Sequence, residues 1–333
     1  MKETQKLLTV AIPTYNMEPY LPRCLDSLIQ NPETAKLIEV LVVNDGSNDR
    51  SLSIAQDYAS RTSCISVVDK PNGGWGSAVN LAIKQAKGKY FKILDADDDF
   101  YPQAFTLFVG QLKTATADIV ATSTADVYDD QPTKITQYPP ELCGRVHDLN
   151  DYLRETGYQG GIPMACMSVK TALLQRNHFE VCERYYADID YLLNVLFYAQ
   201  TVAFSRAVVY RYYHGREGQS TNAMGYARHI DDFLRLSIRL ATSYEAHKYT
   251  TTDEIKRTYL KNSVASIQFA YQLLMSPSFN ISIADAEKKL REFDAKLKAT
   301  SKYIYKAVGK VRRRGIPFIL IWRLFRINLF SFR

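Results

Sequence analysis

Between Tyr90 and Tyr101 the chain sets four carboxylates, Asp95, Asp97, Asp98 and Asp99, directly behind an apolar run, Tyr90–Leu94, that reads as a buried strand. Carboxylates repel one another and lose hydration when buried, so four at the end of a core strand imply a compensating cation. A hard divalent metal carrying substrate phosphates suits oxygen donors of this kind. A turn with helix-capping aspartates ahead of Pro102 accounts for one or two of them, not for four. Other polar stretches accompany the cluster. Asp45 follows a second apolar run in Asn44-Asp45-Gly46-Ser47, and Asn72-Gly73-Gly74 forms a glycine-rich loop that lets a ligand approach the backbone closely. Asp188 and Asp190 open an apolar helical stripe, where a carboxylate can cap the helix and is favoured by its dipole.

The elements that must position these groups alternate. Leu7–Ile12, Ile38–Val43, Ile65–Val68, Tyr90–Leu94 and Asp118–Thr122 read as strands, and apolar stripes at helical spacing separate them. Ile38–Val43 is apolar on both faces apart from Glu39, the pattern of a strand covered by helices. Such a βαβ series predicts a mostly parallel sheet with right-handed crossovers. Ligands bind at the carboxyl ends of its strands, where Pro13, Asp45, the glycine loop and Asp95–Asp99 all fall. Residues 124–160 are polar and loop-rich. A strand over Met164–Val169, a short helix over Thr171–Arg176, a helix beginning near Asp188, and separate strands over Thr201–Phe204 and Ala207–Tyr213 follow. Beyond Ser220 the periodicity is helical, so the expected division is 1–220 as an α/β domain and 221–333 as a helical one.

Composition is that of a globular protein, 46% hydrophobic and 23% charged, with a net charge of +7 that favours anionic partners. Five widely spaced cysteines without a CxxC pair indicate neither a zinc site nor a disulfide framework, and most sit in apolar contexts as buried thiols. The polar N-terminus lacks an apolar signal region, and no stretch reaches the roughly 18 to 20 apolar residues needed to span a bilayer. A cytosolic location is expected. After Asp294 no acidic residue occurs, while lysines and arginines accumulate from Lys302 onward among large aliphatic and aromatic residues. This tail, about 302–333, suits an in-plane helix on an anionic membrane leaflet. Packing on the protein and a homo-oligomer contact are the alternatives; nucleic acid is not expected, because aliphatic residues dominate over isolated stacking residues.

The stretches Ala11-Ile12-Pro13-Thr14-Tyr15-Asn16, Val42-Val43-Asn44-Asp45-Gly46-Ser47, Asn72-Gly73-Gly74 and Leu94-Asp95-Ala96-Asp97-Asp98 resemble, in order and spacing, the family 2 glycosyltransferases of the GT-A fold. The resemblance covers about residues 7 to 220. It implies a Rossmann-like sheet flanked by helices, with a helical extension, and an inverting transfer of a sugar from a UDP-sugar to an acceptor hydroxyl on a glycan, a glycoprotein or a lipid-linked saccharide. Pro13, Thr14, Tyr15 and Asp45 would hold the nucleoside, and Asn72, Gly73 and Gly74 would approach the nucleotide. Asp95-Ala96-Asp97 matches the DXD motif: Asp95 would lie near the ribose and Asp97 would hold Mn²⁺ or Mg²⁺ on the diphosphate. Asp98 and Asp99 would shape the turn, one of them capping the next helix.

Asp188 falls where the family's base lies, although Ala187 replaces the usual glutamate beside it, and Asp190 remains a candidate for the same role. In the loop after Tyr213, His214 would ligate the metal or donate to the diphosphate, and Arg216 would clamp phosphate oxygens. A nucleotidyltransferase and an inactive nucleotide-sugar-binding module stay open as rival readings.

Overall fold

A computed structural model describes residues 5–157, 161–182, 184–215, 223–276 and 282–328. Two compact units divide the chain, one through Arg216 and one from Glu217 onward. In the first, β1 (Leu8–Thr14), α1 (Leu21–Ile29), α2 (Pro32–Leu37), β2 (Ile38–Asn44), α3 (Ser51–Arg61), β3 (Ile65–Asp69), α4 (Trp75–Gln85) and β4 (Tyr90–Ile93) follow in turn. Every residue of β1, β2 and β4 is buried. At about 1.5–3 kcal/mol for each large apolar side chain removed from water, these strands and the Cys24, Leu25 and Leu28 face of α1 form the main core.

β1 pairs in parallel with both β2 and β4, and β2 with β3. The register brings Thr14, Asn44 and Asp69 side by side at the carboxyl edge, where the Asn44 amide donates to Asp69 at 2.7 Å. Polar side chains thus accumulate at one end of an otherwise apolar sheet.

Beyond β4 the parallel pattern breaks. The chain continues through β5 (Asp99–Phe100), α5 (Pro102–Gln111), β6 (Ile119–Val127), β7 (Lys134–Thr136), β8 (Val146–Asp148), α6 (Leu149–Thr156), β9 (Met167–Lys170), α7 (Thr171–Arg176), α8 (Ala187–Val195) and β10 (Thr201–Tyr213). The sheet order is β3-β2-β1-β4-β9-β6-β10-β5, with β9 antiparallel to both β4 and β6. β4 and β6 therefore run the same way, as a βαβ crossover requires, but β9 has inserted between them. A sheet read as mostly parallel is mixed in this half. The two strands expected after Thr201 are one, β10, whose pairing with β6 shifts register on either side of Val208. Such bulges keep a strand continuous while re-aiming its side chains.

In the second unit, α9 (Ala223–Arg228), α10 (Ile230–His247), α11 (Asp253–Met275), α12 (Ile283–Thr300), α13 (Lys302–Gly309) and α14 (Phe318–Phe325) are all helical. Side-chain oxygens of Thr252, Ser282 and Ser301 cap α11, α12 and α13. Among the described residues no helix is long and apolar enough to cross a membrane. None of the five cysteines is in a disulfide; Cys24, Cys64 and Cys166 are buried.

One core residue is charged by nature. Lys92, midway along β4 and fully buried, donates through Nζ to the carbonyls of Ala165, at 2.5 Å, and Met167, at 3.5 Å. Burial lowers its pKa from 10.5 to about 8. Between those values the unfolded chain holds a proton that the folded chain has lost, so stability rises with pH across the window. Lys92→Met should lack that gain. Its unfolding free energy, from urea titrations at the two ends of the window, should increase by about 3 kcal/mol less than that of the unsubstituted protein. Equal increments would show that Lys92 does not titrate there.

Candidate active site

The aspartate turn is organised from below. The Asp98 amide donates to the Asp95 carbonyl at 3.0 Å and closes the turn, and the Leu94 amide bonds Ala11, tying it to β1. Asp98 and Asp99 are fully buried, whereas Asp95 is half-buried and Asp97 sits at 9% exposure. Asp98 accepts from the Tyr210 hydroxyl at 2.7 Å and from the Tyr213 amide at 2.9 Å. Asp99 pairs with Arg211 and with Arg23 of α1, the latter at 3.2 Å, and accepts from the Tyr213 hydroxyl at 3.1 Å. Arg23 also donates to the Asp97 carbonyl at 2.5 Å and lies over the Tyr213 ring, 3.6 Å from its centre. Neither Asp98 nor Asp99 caps α5, as one was expected to: the residue before that helix is Tyr101, with no side-chain cap, and both carboxylates are committed inward to β10.

The outer members carry the front of the turn. Asp95 accepts from the Trp75 indole at 2.9 Å, while its amide donates to the Tyr210 hydroxyl at 3.2 Å. Ala96 is buried, as a residue pointing away from a ligand would be. Burial, reinforced by the charges of Asp97 and Asp95, pushes the Asp98 carboxyl up to about 8.

At the neighbouring strand end, Asp45 accepts from the backbone amides of Gly73 at 2.9 Å and Gly74 at 2.7 Å, and from the Lys70 ammonium. These contacts leave one lone pair on Oδ2 for a further donor. Asn72 donates to the Asp45 carbonyl at 3.0 Å, so the carboxylate and its backbone together hold the glycine loop in shape. Gly74 has φ +94°, a conformation that side chains rarely adopt, and leads directly into α4. Pro13 and Thr14 are buried at the end of β1, Thr14 bonding back to the Ile12 carbonyl at 3.0 Å, and Tyr15 is exposed beyond them. Asn16, at φ +53°, then bridges to the Ser47–Asn48 turn through two bonds.

Asp188 lies in the first turn of α8, accessible to solvent yet densely surrounded by protein, and this desolvation raises its carboxyl above the usual range. Tyr186, immediately before the helix, holds φ +65°, a left-handed conformation that costs a tyrosine roughly 1–2 kcal/mol and persists where the surroundings enforce it. Asp190 is placed differently. It is fully buried and accepts from the Cys182 amide at 2.7 Å and the Asn194 amide group at 2.6 Å, which makes it a scaffold residue. The Val181–Cys182 segment is itself clamped to α4. Asn80 exchanges two 2.9 Å bonds with Val181, and a Cβ on Gly76 would fall 1.8 Å from the Cys182 carbonyl oxygen. The glycine loop and the Asp188 helix are thus anchored to one element.

Burial above all raises the Tyr212 phenol to about 12, and the charges of Asp98, Asp95, Asp97 and Asp188 add to that shift. His214 meets Tyr212 edge-on and stacks flat on Tyr128, its ring 4.4 Å from each, and its Nε2 lies 2.8 Å from Asp126. A carboxylate on one imidazole nitrogen is the usual companion of a metal on the other. Arg216 lies outside the described residues. Among the described residues no cluster of three or more His, Cys, Asp or Glu could hold a metal by itself. Asp97 offers an oxygen donor and His214 a nitrogen donor, donor types that Mn²⁺ takes together with water and substrate phosphates.

Residues 9–182, more than half of the chain, match the model of the family described as glycosyl transferase family 2. The chain belongs to that family. Among curated relatives, an uncharacterised glycosyltransferase of Mycoplasma pneumoniae, the MG025 homologue, is 48% identical over 102 residues, 30% of this chain and 34% of that one. EpsJ, an uncharacterised glycosyltransferase of Bacillus subtilis, is 38% identical over 136 residues, 41% and 38% of the two chains. The match thus spans little more than a third of these relatives' length. Residues 1–349 of S. aureus TarS, in complex with UDP-GlcNAc, superpose with a TM-score of 0.53 at 17% identity, over 90% of this chain and 91% of that one. The fold is GT-A, the mixed sheet included.

The role of Asp190 can be read from stability. Asp190→Ala removes the carboxylate that accepts from the Cys182 amide and one of the two acceptors of the Asn194 side-chain amide, and should lower the unfolding free energy by about 2–3 kcal/mol in urea titrations. Unchanged stability would show that the segment is held by α4 alone.

Proposed function

We propose that the chain is an inverting glycosyltransferase that moves a sugar from a UDP-sugar to an acceptor hydroxyl. The observation that supports this best is an aspartate turn at the end of a core strand, held from beneath by Tyr210, Arg211 and Arg23, in a chain of the glycosyl transferase family 2. The UDP-GlcNAc bound by TarS on the same fold is in keeping with a UDP-sugar donor.

In this reading the nucleoside lies across Pro13, Thr14 and Tyr15, and the free lone pair of Asp45 accepts a base N–H. Asn72, Gly73 and Gly74 offer backbone at close approach. Asp95, oriented by the Trp75 indole, takes the ribose, and Asp97 with His214 would hold the divalent ion. When bound, that ion acts as a Lewis acid toward the leaving diphosphate. Arg216 clamps phosphate oxygens. Asp188, its basicity raised by its surroundings, removes the acceptor hydroxyl proton; the oxygen attacks the anomeric carbon as the bond to the diphosphate breaks, and UDP leaves. Neither Asp98 nor Asp99 takes part, because both are consumed in holding the turn. The acceptor is a glycan, a glycoprotein or a lipid-linked saccharide.

Asp188→Asn should lower kcat/KM for transfer by about 10²–10⁴, with the fold intact by circular dichroism. Asp97→Asn should lose the response to added Mn²⁺ or Mg²⁺. Release of UDP from a panel of UDP-sugars, with membranes as the acceptor source and with or without EDTA, provides the assay. Transfer by Asp97→Asn at the unsubstituted rate in EDTA would overturn the metal assignment, and full turnover by Asp188→Asn would overturn the base.

A further inference from the structure

The short helix α14 is apolar on two sides, and the protein covers only one of them. Phe318, Ile319 and Trp322 are at most 2% exposed. Arg323 is drawn inward as well, its Nε 2.7 Å from Asp294 and its guanidinium 3.5 Å above the Tyr305 ring, while it also donates to the Tyr271 hydroxyl at 2.9 Å. This clamp sets the rotation of the helix. Residues at other helical phases must then face outward. Leu320, Leu324 and Phe325 are 41%, 65% and 66% exposed, and Ile316 and Ile327, just beyond the two ends, are 48% and 43% exposed. Large apolar side chains grouped in this way mark an interaction surface.

The charge around the patch is of one sign. Lys310, Arg312, Arg313 and Arg314 precede the helix and Arg326 follows it, all exposed, and the chain carries no acidic residue after Asp294. A second copy of the chain would set cations against cations across a two-fold contact. Eight helical residues fall far short of the roughly 20 needed to span a bilayer, so the helix can only lie in the interface.

We propose that this outward face of α14 docks on an anionic lipid surface, with Leu320, Leu324 and Phe325 entering the headgroup boundary while the flanking arginines meet lipid phosphates. The inference rests on the chemistry of the tail and not on the sugar-transfer reading, and its test reads binding alone. The full chain should co-sediment with vesicles of phosphatidylcholine containing about 30% phosphatidylglycerol at least tenfold more tightly than with pure phosphatidylcholine, and high salt should reduce the difference. Leu324→Ser/Phe325→Ser should weaken binding to the anionic vesicles about tenfold or more with unchanged helical content, since both residues are exposed. Arg312→Ser/Arg313→Ser/Arg314→Ser should abolish the preference for anionic lipid. Vesicle binding unaffected by Leu324→Ser/Phe325→Ser would overturn the proposal. So would self-association in analytical ultracentrifugation that this double variant abolishes without lipid, which would assign the face to a second copy.

Discussion

The hydrogen bond from the Tyr210 hydroxyl to Asp98, with the ion pairs from Arg211 and Arg23 to Asp99, keeps two carboxylates inside the protein at the end of β4. An unpaired carboxylate there would be intolerable in low dielectric, so β10 must run alongside and supply its donors. The continuity of β10 past its bulge follows from that requirement. Phe100 and Asp99 pair with Tyr210 and Arg211 as a two-residue strand, which fixes the turn's exit, while Leu94 bonded to β1 fixes its entry. Held at both ends and underneath, the turn can keep the half-buried Asp95 at its front without collapsing under the repulsion of its carboxylates.

A second constraint acts through α4. Its start is defined by the Asp45 carboxylate gripping the Gly73 and Gly74 amides, and its body holds the Val181–Cys182 segment through Asn80 and the bare surface of Gly76. Asp190 carries the connection from that segment into α8, and so to Asp188. The glycine loop and the Asp188 helix are therefore set on one rigid element, which would suit the proposed single displacement, in which base, nucleophile and leaving group must stay aligned.

Much of the first half was legible because its physics is local. β1, β2 and β4 are buried on both faces and therefore mostly apolar, Thr9, Glu39 and Lys92 apart, and the polar residues at their ends stand out against them. The second half was not legible to the same degree. β9 is four residues long, and nothing in Met167–Lys170 says that it will enter between β4 and β6 in the opposite direction. Arg23, Trp75 and Tyr212 passed unnoticed as site residues because each is an ordinary member of a helix or strand until the fold brings it to the aspartates. The run Tyr210-Arg211-Tyr212-Tyr213 held a usable signal: in a strand, Tyr210 and Tyr212 share one face, on the side of Asp95 and Asp98, and Arg211 takes the other, toward Asp99.

What the amino-acid order determined by itself was the position of the polar groups: carboxylates and glycines at strand ends, a carboxylate at a helix start, a basic apolar tail. Those signals depend on burial and periodicity, which neighbouring residues reveal. Tertiary structure alone divided the labour among like residues. Asp97 and Asp98 are adjacent and chemically identical, as Asp188 and Asp190 nearly are, yet Asp98 is consumed by partners more than 100 residues away and Asp190 by a segment clamped to a distant helix, while Asp188 stays exposed. The same holds for α14, whose inward and outward faces are equally apolar until Asp294 draws Arg323 in and sets which side the protein covers. The role of each carboxylate is decided by which donors reach it, and those donors arrive from remote parts of the chain.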